Sequence, residues 1–135
     1  MAQQILPELR LSYLQSVLDC TRDALFVTEV KQTAVPEHRI CFVNDAFTHI
    51  TGYSQAEAFE RPPSFLLREA PDSTVADTLA AAFGRSEKSR HILAIRRNDG
   101  TDLQLEVFLN PLVEQDECRF VIAILQPAKI KETIR

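Results

Sequence analysis

The sequence predicts an α+β domain in which a five-stranded antiparallel sheet carries several short helices on one face. Two observations lead to this fold class. Runs of β-prone residues are grouped at 23–30 and 39–43 and again between 91 and 126, while helical patterns fill the region between the two groups. Strands grouped in this way argue against alternating βαβ units and therefore against a parallel sheet.

The N-terminal segment predicts an amphipathic helix. Its apolar residues form two adjacent stripes at helical spacing, which are Leu11, Leu14 and Leu18 in the first and Leu6, Leu9, Tyr13 and Val17 in the second. Two interpretations stay open for residues 6–20: they form a homodimer contact, or both stripes cover the outer face of the sheet within one chain. We therefore expect a flanking helix in 1–21, the sheet-and-helix domain in 22–126 and a C-terminal linker in 127–135.

Two short helices are predicted directly after the second strand. Asn44 offers a side-chain oxygen to cap a helix that begins at Asp45, and Gly52 can end it. Ser54 and Glu57 have the spacing of a capping box, so a second helix begins at once.

Proline and glycine residues divide the rest of the helical region. Pro62 and Pro63 prevent a regular helix at their position. Cap candidates at 72–74 then predict a longer helix through Phe83, and Gly84 ends it.

The last third of the chain predicts three strands. Apolar and polar residues alternate along 103–110, which is typical of a strand with one face on the core. A strand at 91–96 is joined to it through Asp99-Gly100, a strong hairpin signal. Proline at 111 is expected to end the middle strand, and the last strand runs from 118 to 126.

Composition limits the classes of partner and compartment. The formal net charge of −4 argues against nucleic-acid binding, which needs clustered basic residues. Cys20, Cys41 and Cys118 show neither a disulfide framework nor the spacing of a zinc site, so we expect reduced thiols and no metal. The apolar runs are far shorter than the roughly 20 residues that span a bilayer. We therefore expect a cytoplasmic protein.

Several short motifs resemble the PAS domain family. They are ICFVNDAF at 40–47, ITGYSQAE at 50–57 and RRNDGT at 96–101, and the resemblance extends over 22–126. It implies a sensory domain that binds a small ligand or a partner and relays a signal to an output domain, of the sensor histidine kinase or diguanylate cyclase type, beyond the linker. The alternative is a ligand-free PAS module that serves only in homodimerisation and protein–protein contacts.

A cleft between the sheet and the short helices is the expected ligand space. The apolar residues that we expect to line it are Phe47, Tyr53, Phe65, Leu79, Ile92, Leu105 and Ile122. A filled core needs the same apolar residues, so each of them has a structural interpretation as well.

The resemblance also allows a test for cofactors. The flavin-binding photosensors of the family carry Gly-Arg-Asn-Cys-Arg-Phe-Leu-Gln, and the matching stretch here is ERPPSFLL at 60–67. Pro63 stands at the position of the reactive cysteine, Pro62 at that of the asparagine and Leu67 at that of the glutamine. We therefore expect no flavin, and place the chain outside the flavin-cysteine photosensor subgroup.

The histidines and the remaining polar residues suggest neither haem nor catalysis. His38 is expected in a polar loop and His91 at a strand start, so His49 is the best of three weak candidates for a haem ligand. No Gly-rich phosphate loop, His-Glu-x-x-His motif or recognisable nucleophile setting is present. We expect no haem, no catalytic residues and no enzymatic activity.

Overall fold

A computed structural model of the chain describes residues 22–31, 37–67, 74–85, 87–114 and 117–128. Their strands form one five-stranded sheet in the order β2-β1-β5-β4-β3. The strands are β1 (Ala24–Lys31), β2 (Glu37–Val43), β3 (Ser89–Arg96), β4 (Asp102–Glu114) and β5 (Glu117–Pro127). The predicted N-terminal helix, with its dimer contact, and linker residues 129–135 lie outside the described residues.

All strand pairs are antiparallel, so the predicted fold class is confirmed. β1 lies in the middle of one half of the sheet because it pairs with β2 on one side and β5 on the other. A bulge interrupts the β1–β2 register, where Val27 pairs with Phe42 but Thr28 pairs with Ile40. The extra residue, Cys41, increases the local twist of this pair.

The helical elements lie between β2 and β3 along the chain. They are α1 (Asp45–Thr51), α2 (Gln55–Ala58), a 3-10 helix (Pro63–Leu66) and α3 (Thr74–Gly84). The predicted caps at Asn44 and Ser54 are confirmed, whereas residues 72 and 73 of the third predicted cap lie outside the described residues. The Asn44 side chain accepts a hydrogen bond of 2.9 Å from the Phe47 amide, and Ser54 and Glu57 form both halves of the capping box.

The prediction that Pro111 ends the middle strand is wrong. β4 continues through Pro111, which pairs with Val121, as far as Glu114. The physical reason is that β3 pairs with β4 only as far as Leu109, opposite Ser89. Beyond that residue β4 is an edge strand toward β3, where a proline removes no hydrogen bond from a neighbouring strand.

The two faces of the sheet differ in what they bury. The helix-facing side carries the main core, in which Phe47 and Leu105 are wholly buried. The opposite face, here called the outer face, carries a separate cluster around Leu25, Val27 and Phe42. Burial of one such side chain contributes about 1.5–3 kcal/mol to folding.

Candidate functional site

The space between the helices and the sheet is organised around Phe26. Its ring meets the Phe47 ring edge to face at a centroid distance of 5.9 Å, and lies nearly parallel to the Phe83 ring at 6.2 Å. Aromatic pairs of this geometry add about 0.5–1.5 kcal/mol each beyond their burial. The three rings therefore hold α1 and α3 on β1.

Five of the seven predicted lining residues lie on the helix-facing side of the sheet. Phe47, Leu79 and Leu105 are buried parts of the core. Tyr53 and Phe65 are half-buried at its margin, where their rings meet at 5.0 Å. No ligand contact is assigned to any of them by this geometry, so their role in binding stays a prediction.

The other two predicted lining residues lie outside the helix-facing core. Ile122 pairs with Val27 and belongs to the outer-face cluster. Ile92 pairs with Glu106 and is 55% exposed. The cause is strand parity, since neighbouring residues of a strand point to opposite faces and the helix-facing residues of β3 and β5 are those flanking Ile92 and Ile122.

An open cavity of about 270 Å³ lies between α3 and β3. It is lined by Thr74, Val75, Thr78, Leu79, His91, Ile92 and Leu93. His91 is its titratable group: the Nε2 atom lies 2.9 Å from Ser89 Oγ, and burial, together with Arg85, lowers the pKa of the imidazole. Of these lining residues the sequence predicted only Leu79 and Ile92. The four-residue spacing of Val75 and Leu79 could have indicated that Val75 lies on the same helix face as Leu79.

A corner forms where the end of α1 meets the β3–β4 hairpin. This hairpin corner consists of Thr51, Gly52 and residues 97–101. The Asn98 amide donates to Thr51 O at 2.9 Å, and the Asn98 side chain donates to Gly52 O at 3.1 Å. Two of the motifs that resemble the PAS family therefore hold each other across 46 residues of sequence.

The hairpin corner also borders a polar cavity. The cavity has a volume of about 340 Å³ and is lined by His49, Ile50, Thr51, Gly52, Arg97, Asn98 and Asp99. Asp99 accepts hydrogen bonds from the Thr101 hydroxyl at 2.6 Å and the Thr101 amide at 3.0 Å. These bonds, the hydroxyl first, hold the pKa of the Asp99 carboxyl below its usual value.

Residues 60–67, here called the linking segment, contact both edges of the sheet. The Glu60 amide donates to Ile40 O at 2.8 Å, and the Ile40 amide donates to Arg61 O at 2.9 Å, so the segment pairs with edge strand β2. At its other end Leu67 forms a bridge with Ile95 of edge strand β3. The Arg61 guanidinium lies 4.5 Å from the centre of the Phe65 ring.

Glu60 adopts a left-handed backbone, with φ at 68°. The flavin motif has glycine at this position, and glycine takes such a conformation without steric cost. At its first residue the linking segment therefore has a backbone conformation that favours glycine, while most of its side chains differ from the motif. Its 3-10 helix begins at Pro63, with Pro62 at the N-cap.

His38 lies in β2 and not in the polar loop that the sequence predicted. Its Nδ1 atom is 3.2 Å from Thr28 Oγ1, and its ring lies 5.5 Å from the Phe83 ring. Burial lowers the pKa of His38. Among the described residues, no group of three or more His, Cys, Asp or Glu side chains is arranged to hold a metal ion.

Comparison with known proteins establishes the family. The model of the family described as "PAS domain" matches residues 26–126. The chain belongs to the PAS domain family. Within the described ranges, none of the helices has the length and apolar character needed to cross a membrane.

The similar proteins with known roles are light sensors. The chain is 30% identical over 102 residues to "Blue-light-activated histidine kinase 2" of Erythrobacter litoralis, which covers 75% of this chain and 29% of that protein. It is 26% identical over 107 residues to the "Blue-light photoreceptor" of Listeria monocytogenes, which covers 79% of this chain and 41% of that protein. The chain thus spans less than half the length of these two relatives.

Solved structures of LOV (light-oxygen-voltage) domains share the fold. The LOV domain of a blue-light-activated histidine kinase of Erythrobacter litoralis has a TM-score of 0.67 and 27% identity, covering 79% of this chain and 96% of that one. The LOV protein of Rhodobacter sphaeroides has a TM-score of 0.76 at 17% identity, covering 90% of this chain and 68% of that one.

These comparisons correct two predictions. The expectation of no flavin is contradicted, because the similar proteins are blue-light receptors and LOV domains, and one similar LOV structure was studied with a flavin analogue. The placement outside the flavin-cysteine photosensor subgroup is likewise unsupported. Both predictions relied on Pro62, Pro63 and Leu67, whereas the similarity extends over about a hundred residues.

The described side chains provide a separate test of how a flavin would fit. A flavin ring needs hydrogen bonds along its polar edge. The helix-facing residues of β3, β4 and β5 include Ile95, Leu105 and Leu125, all apolar and buried. The side chains at these three positions therefore supply no hydrogen bond to the polar edge of a flavin, which other residues would have to provide.

Proposed function

We propose that this chain is the sensory input domain of a longer signalling protein, a PAS domain of the LOV type whose state is relayed to an attached output domain. The observation that carries the proposal is the 30% identity over 102 residues to a blue-light-activated histidine kinase that is much longer than this chain. Catalytic activity belongs, in this proposal, to the output domain and not to the sensory domain. We place the protein in the cytoplasm, in line with its unpaired cysteine pattern.

The route of relay proposed here is β5. This strand lies between β1 and β4, and its last residues are tied to both neighbours, since Gln126 Nε2 lies 3.3 Å from Asp23 Oδ2 and the Ala128 amide donates to Gln104 O at 3.1 Å. A shift of the helices on the sheet would reach these contacts through the buried residues of β5. A population shift of this kind needs a ligand or a light-induced state that prefers one arrangement.

Flavin is the first ligand to test. The purified full chain is scanned for visible absorbance and flavin fluorescence, as isolated and after incubation with FMN or FAD, and hydrogen exchange of 117–128 is compared in darkness and blue light. A bound flavin and a light-dependent change in exchange are the expected result. Protein that retains no small molecule and shows no response to light or to either flavin would overturn the proposal.

A second candidate is a module that acts only through contacts with partners and with a second copy. The wholly buried state of Phe47 and Leu105 favours it, because side chains of the protein itself fill the middle of the interior. Both candidate functions include the predicted homodimer through residues 6–20. Light scattering on the chain with and without residues 1–20 tests it, and a monomer in both cases rejects the dimer.

A further inference from the structure

Two neighbouring arginines at the end of β3 differ in their hydrogen bonds. Arg96 Nε donates to Asp102 Oδ1 at 3.1 Å, at an exposed site within the hairpin. Arg97 Nε is buried, and no described residue accepts a hydrogen bond from it. A buried donor without an acceptor is unfavourable, because it has lost its hydrogen bond to water and gained none from the protein. Arg97 therefore gains more from a new acceptor than Arg96 does.

The carboxylate of the same corner bonds a different residue. Asp99 Oδ1 accepts from the Thr101 hydroxyl at 2.6 Å and from the Thr101 amide at 3.0 Å. These bonds come first, and the charge of Arg97 contributes less, in lowering the pKa of the Asp99 carboxyl. Arg97 and Asp99 thus interact at a distance, while the hydrogen bonds of Asp99 go to Thr101.

The main chain of the hairpin corner is also engaged. The amides of residues 97, 98 and 100 donate to main-chain carbonyls at 2.7, 2.9 and 2.9 Å, and the Asn98 side chain donates to Gly52 O. His49 Nδ1 lies 3.0 Å from Asp45 O. A carbonyl only accepts, so Nδ1 is the donor, and Nε2 is the nitrogen that a second partner can meet. Side chains therefore decide what the corner can bind.

Arg97 and His49 line the polar cavity of about 340 Å³ at this corner, together with Asn98 and Asp99. Sites for small molecules commonly have volumes of about 300–1,000 Å³. Arg97 as a whole is half-buried, so a molecule in the cavity can contact its guanidinium. The cavity thus joins a suitable volume to an arginine whose Nε has no acceptor in the described part of the chain.

We propose that the polar cavity at the hairpin corner binds a small oxyanion, a carboxylate or a phosphate group, through the Arg97 guanidinium. Nε and one Nη atom form a fork that matches two oxygens of either group. The guanidinium must turn toward the cavity for this, because Nε is buried. The proposal goes beyond the proposed sensory function and does not depend on it or on a flavin.

Asp99 sets a limit on the affinity. Its carboxylate is fully exposed and lines the same cavity, so it repels a bound anion. We expect Asp99→Asn to tighten the binding of either oxyanion by up to about fivefold, since a charge contact at an exposed site contributes no more than this. Weaker binding in a folded Asp99→Asn variant would place the anion outside the cavity and overturn the proposal.

The Nε–H signal of Arg97 in ¹⁵N NMR spectra is the direct measurement. The full chain is titrated with sodium acetate and, separately, with sodium phosphate, in slightly acidic buffer at constant ionic strength. We expect the Arg97 signal to shift along a saturating curve with a Kd in roughly the millimolar range, whereas the Arg96 signal should shift little. A response to acetate alone identifies a carboxylate ligand, and a response to phosphate alone identifies a phosphate ligand.

Arg97→Gln and Arg96→Gln form the matched pair of variants. The main-chain amide signals of residues 98–101 report binding in both, and circular dichroism checks that each is folded. Arg97→Gln should weaken binding by at least about tenfold, because hydrogen bonds to a charged group are the strong ones. Arg96→Gln should leave the Kd unchanged, because that arginine already pairs with Asp102.

Three results would overturn the proposal. An Arg97 signal that responds to neither anion would mean that water alone satisfies Nε. Equal shifts of Arg96 and Arg97 that do not saturate would show general screening by salt. An unchanged Kd in a folded Arg97→Gln variant would exclude Arg97 as the binding residue. If Arg97→Gln does not fold, the titration of the unaltered chain decides the question alone.

Discussion

The hairpin corner and the linking segment both correspond to motifs of the PAS family, but they match these motifs in different ways. At the hairpin corner the motif residues themselves remain, and Gly52 and Asn98 hold α1 against the β3–β4 hairpin. In the linking segment Glu60 has a left-handed backbone where the motif has glycine, while prolines and leucine stand at the chemically important positions. Motif positions that set geometry are thus separable from those that set chemistry.

Gly52 is the position where this comparison predicts the largest effect. Its φ is 84°, and a Cβ atom added there would lie 3.0 Å from Asn98 Cβ. Left-handed strain of about 1–2 kcal/mol and overpacking of about 1–3 kcal/mol together predict that Gly52→Ala lowers the free energy of unfolding by about 2–5 kcal/mol. Urea unfolding followed by circular dichroism measures the change.

Gly84→Ala is the matched control for this substitution. Gly84 ends α3 without a left-handed backbone, and apart from its chain neighbours and its own helix backbone, no atom of the described residues lies within 4 Å of the added Cβ. Alanine should be neutral there or stabilise the helix by up to about 1 kcal/mol. Equal losses for Gly52→Ala and Gly84→Ala would show that the hairpin corner imposes no special requirement for glycine.

In the linking segment, substitution of Glu60 should change the free energy of unfolding less than substitution of Gly52. Its φ of 68° is more unfavourable for β-branched side chains than for glutamate, so Glu60→Val should lower the free energy of unfolding by about 1 kcal/mol. Glu60→Gly should stay within about 1 kcal/mol of the wild type, because relief of strain offsets the greater flexibility of the unfolded chain.

The Glu60 substitutions also remove an ion pair, and this needs its own control. Lys31 Nζ lies 3.2 Å from Glu60 Oε2 at an exposed site, where such a pair contributes about 0–1 kcal/mol. Lys31→Ala sets an upper limit on that contribution without a change at residue 60, because it also removes the 4.0 Å contact of Lys31 with Glu29. If Glu60→Val and Glu60→Gly destabilise equally, the ion pair and not the backbone explains the loss.

The sequence predicted local features better than those that depend on distant pairing. The caps at Asn44 and Ser54 and the turn at Gly52 follow from residues within one helical turn, and all were confirmed. The faces of Ile92 and Ile122 depend on the register of whole strands, and a parity error of one residue moves a side chain to the opposite face.

Contacts that join remote segments carried no local signal. The pairing of Glu60 and Arg61 with Ile40, and of Leu67 with Ile95, depends on how the chain returns to the two edges of the sheet. His38 was expected in a loop because the polar residues before it hide the start of β2. The flavin prediction failed for a related reason, since it judged subgroup membership from one short segment.

The smallest predicted effects are those of pH on the free energy of unfolding. They differ between the linking segment's neighbour β2 and the hairpin corner. His38, on the edge strand that pairs with the linking segment, has a folded pKa below its ordinary value of 6.5 because burial disfavours the imidazolium. The unfolded chain therefore binds the proton first, and the contribution of His38 to stability is complete above 6.5 and is lost as the pH falls below it. At the hairpin corner Asp99 has a folded pKa below its ordinary 3.8, so its contribution is lost only as the pH falls below that value.

Urea unfolding midpoints measured at a series of pH values test whether His38 and Asp99 affect stability in different pH ranges. Between about pH 5 and pH 7.5 we expect the stability to fall with acidity, and His38→Gln should reduce this slope without abolishing it, because the pKa of His91 is lowered as well. Thr101→Val should alter only the acid limb, because it removes the hydroxyl that bonds Asp99. A Thr101→Val variant with a changed slope near neutrality would show that the corner and the edge strand titrate as one unit, which their separate hydrogen bonds do not predict.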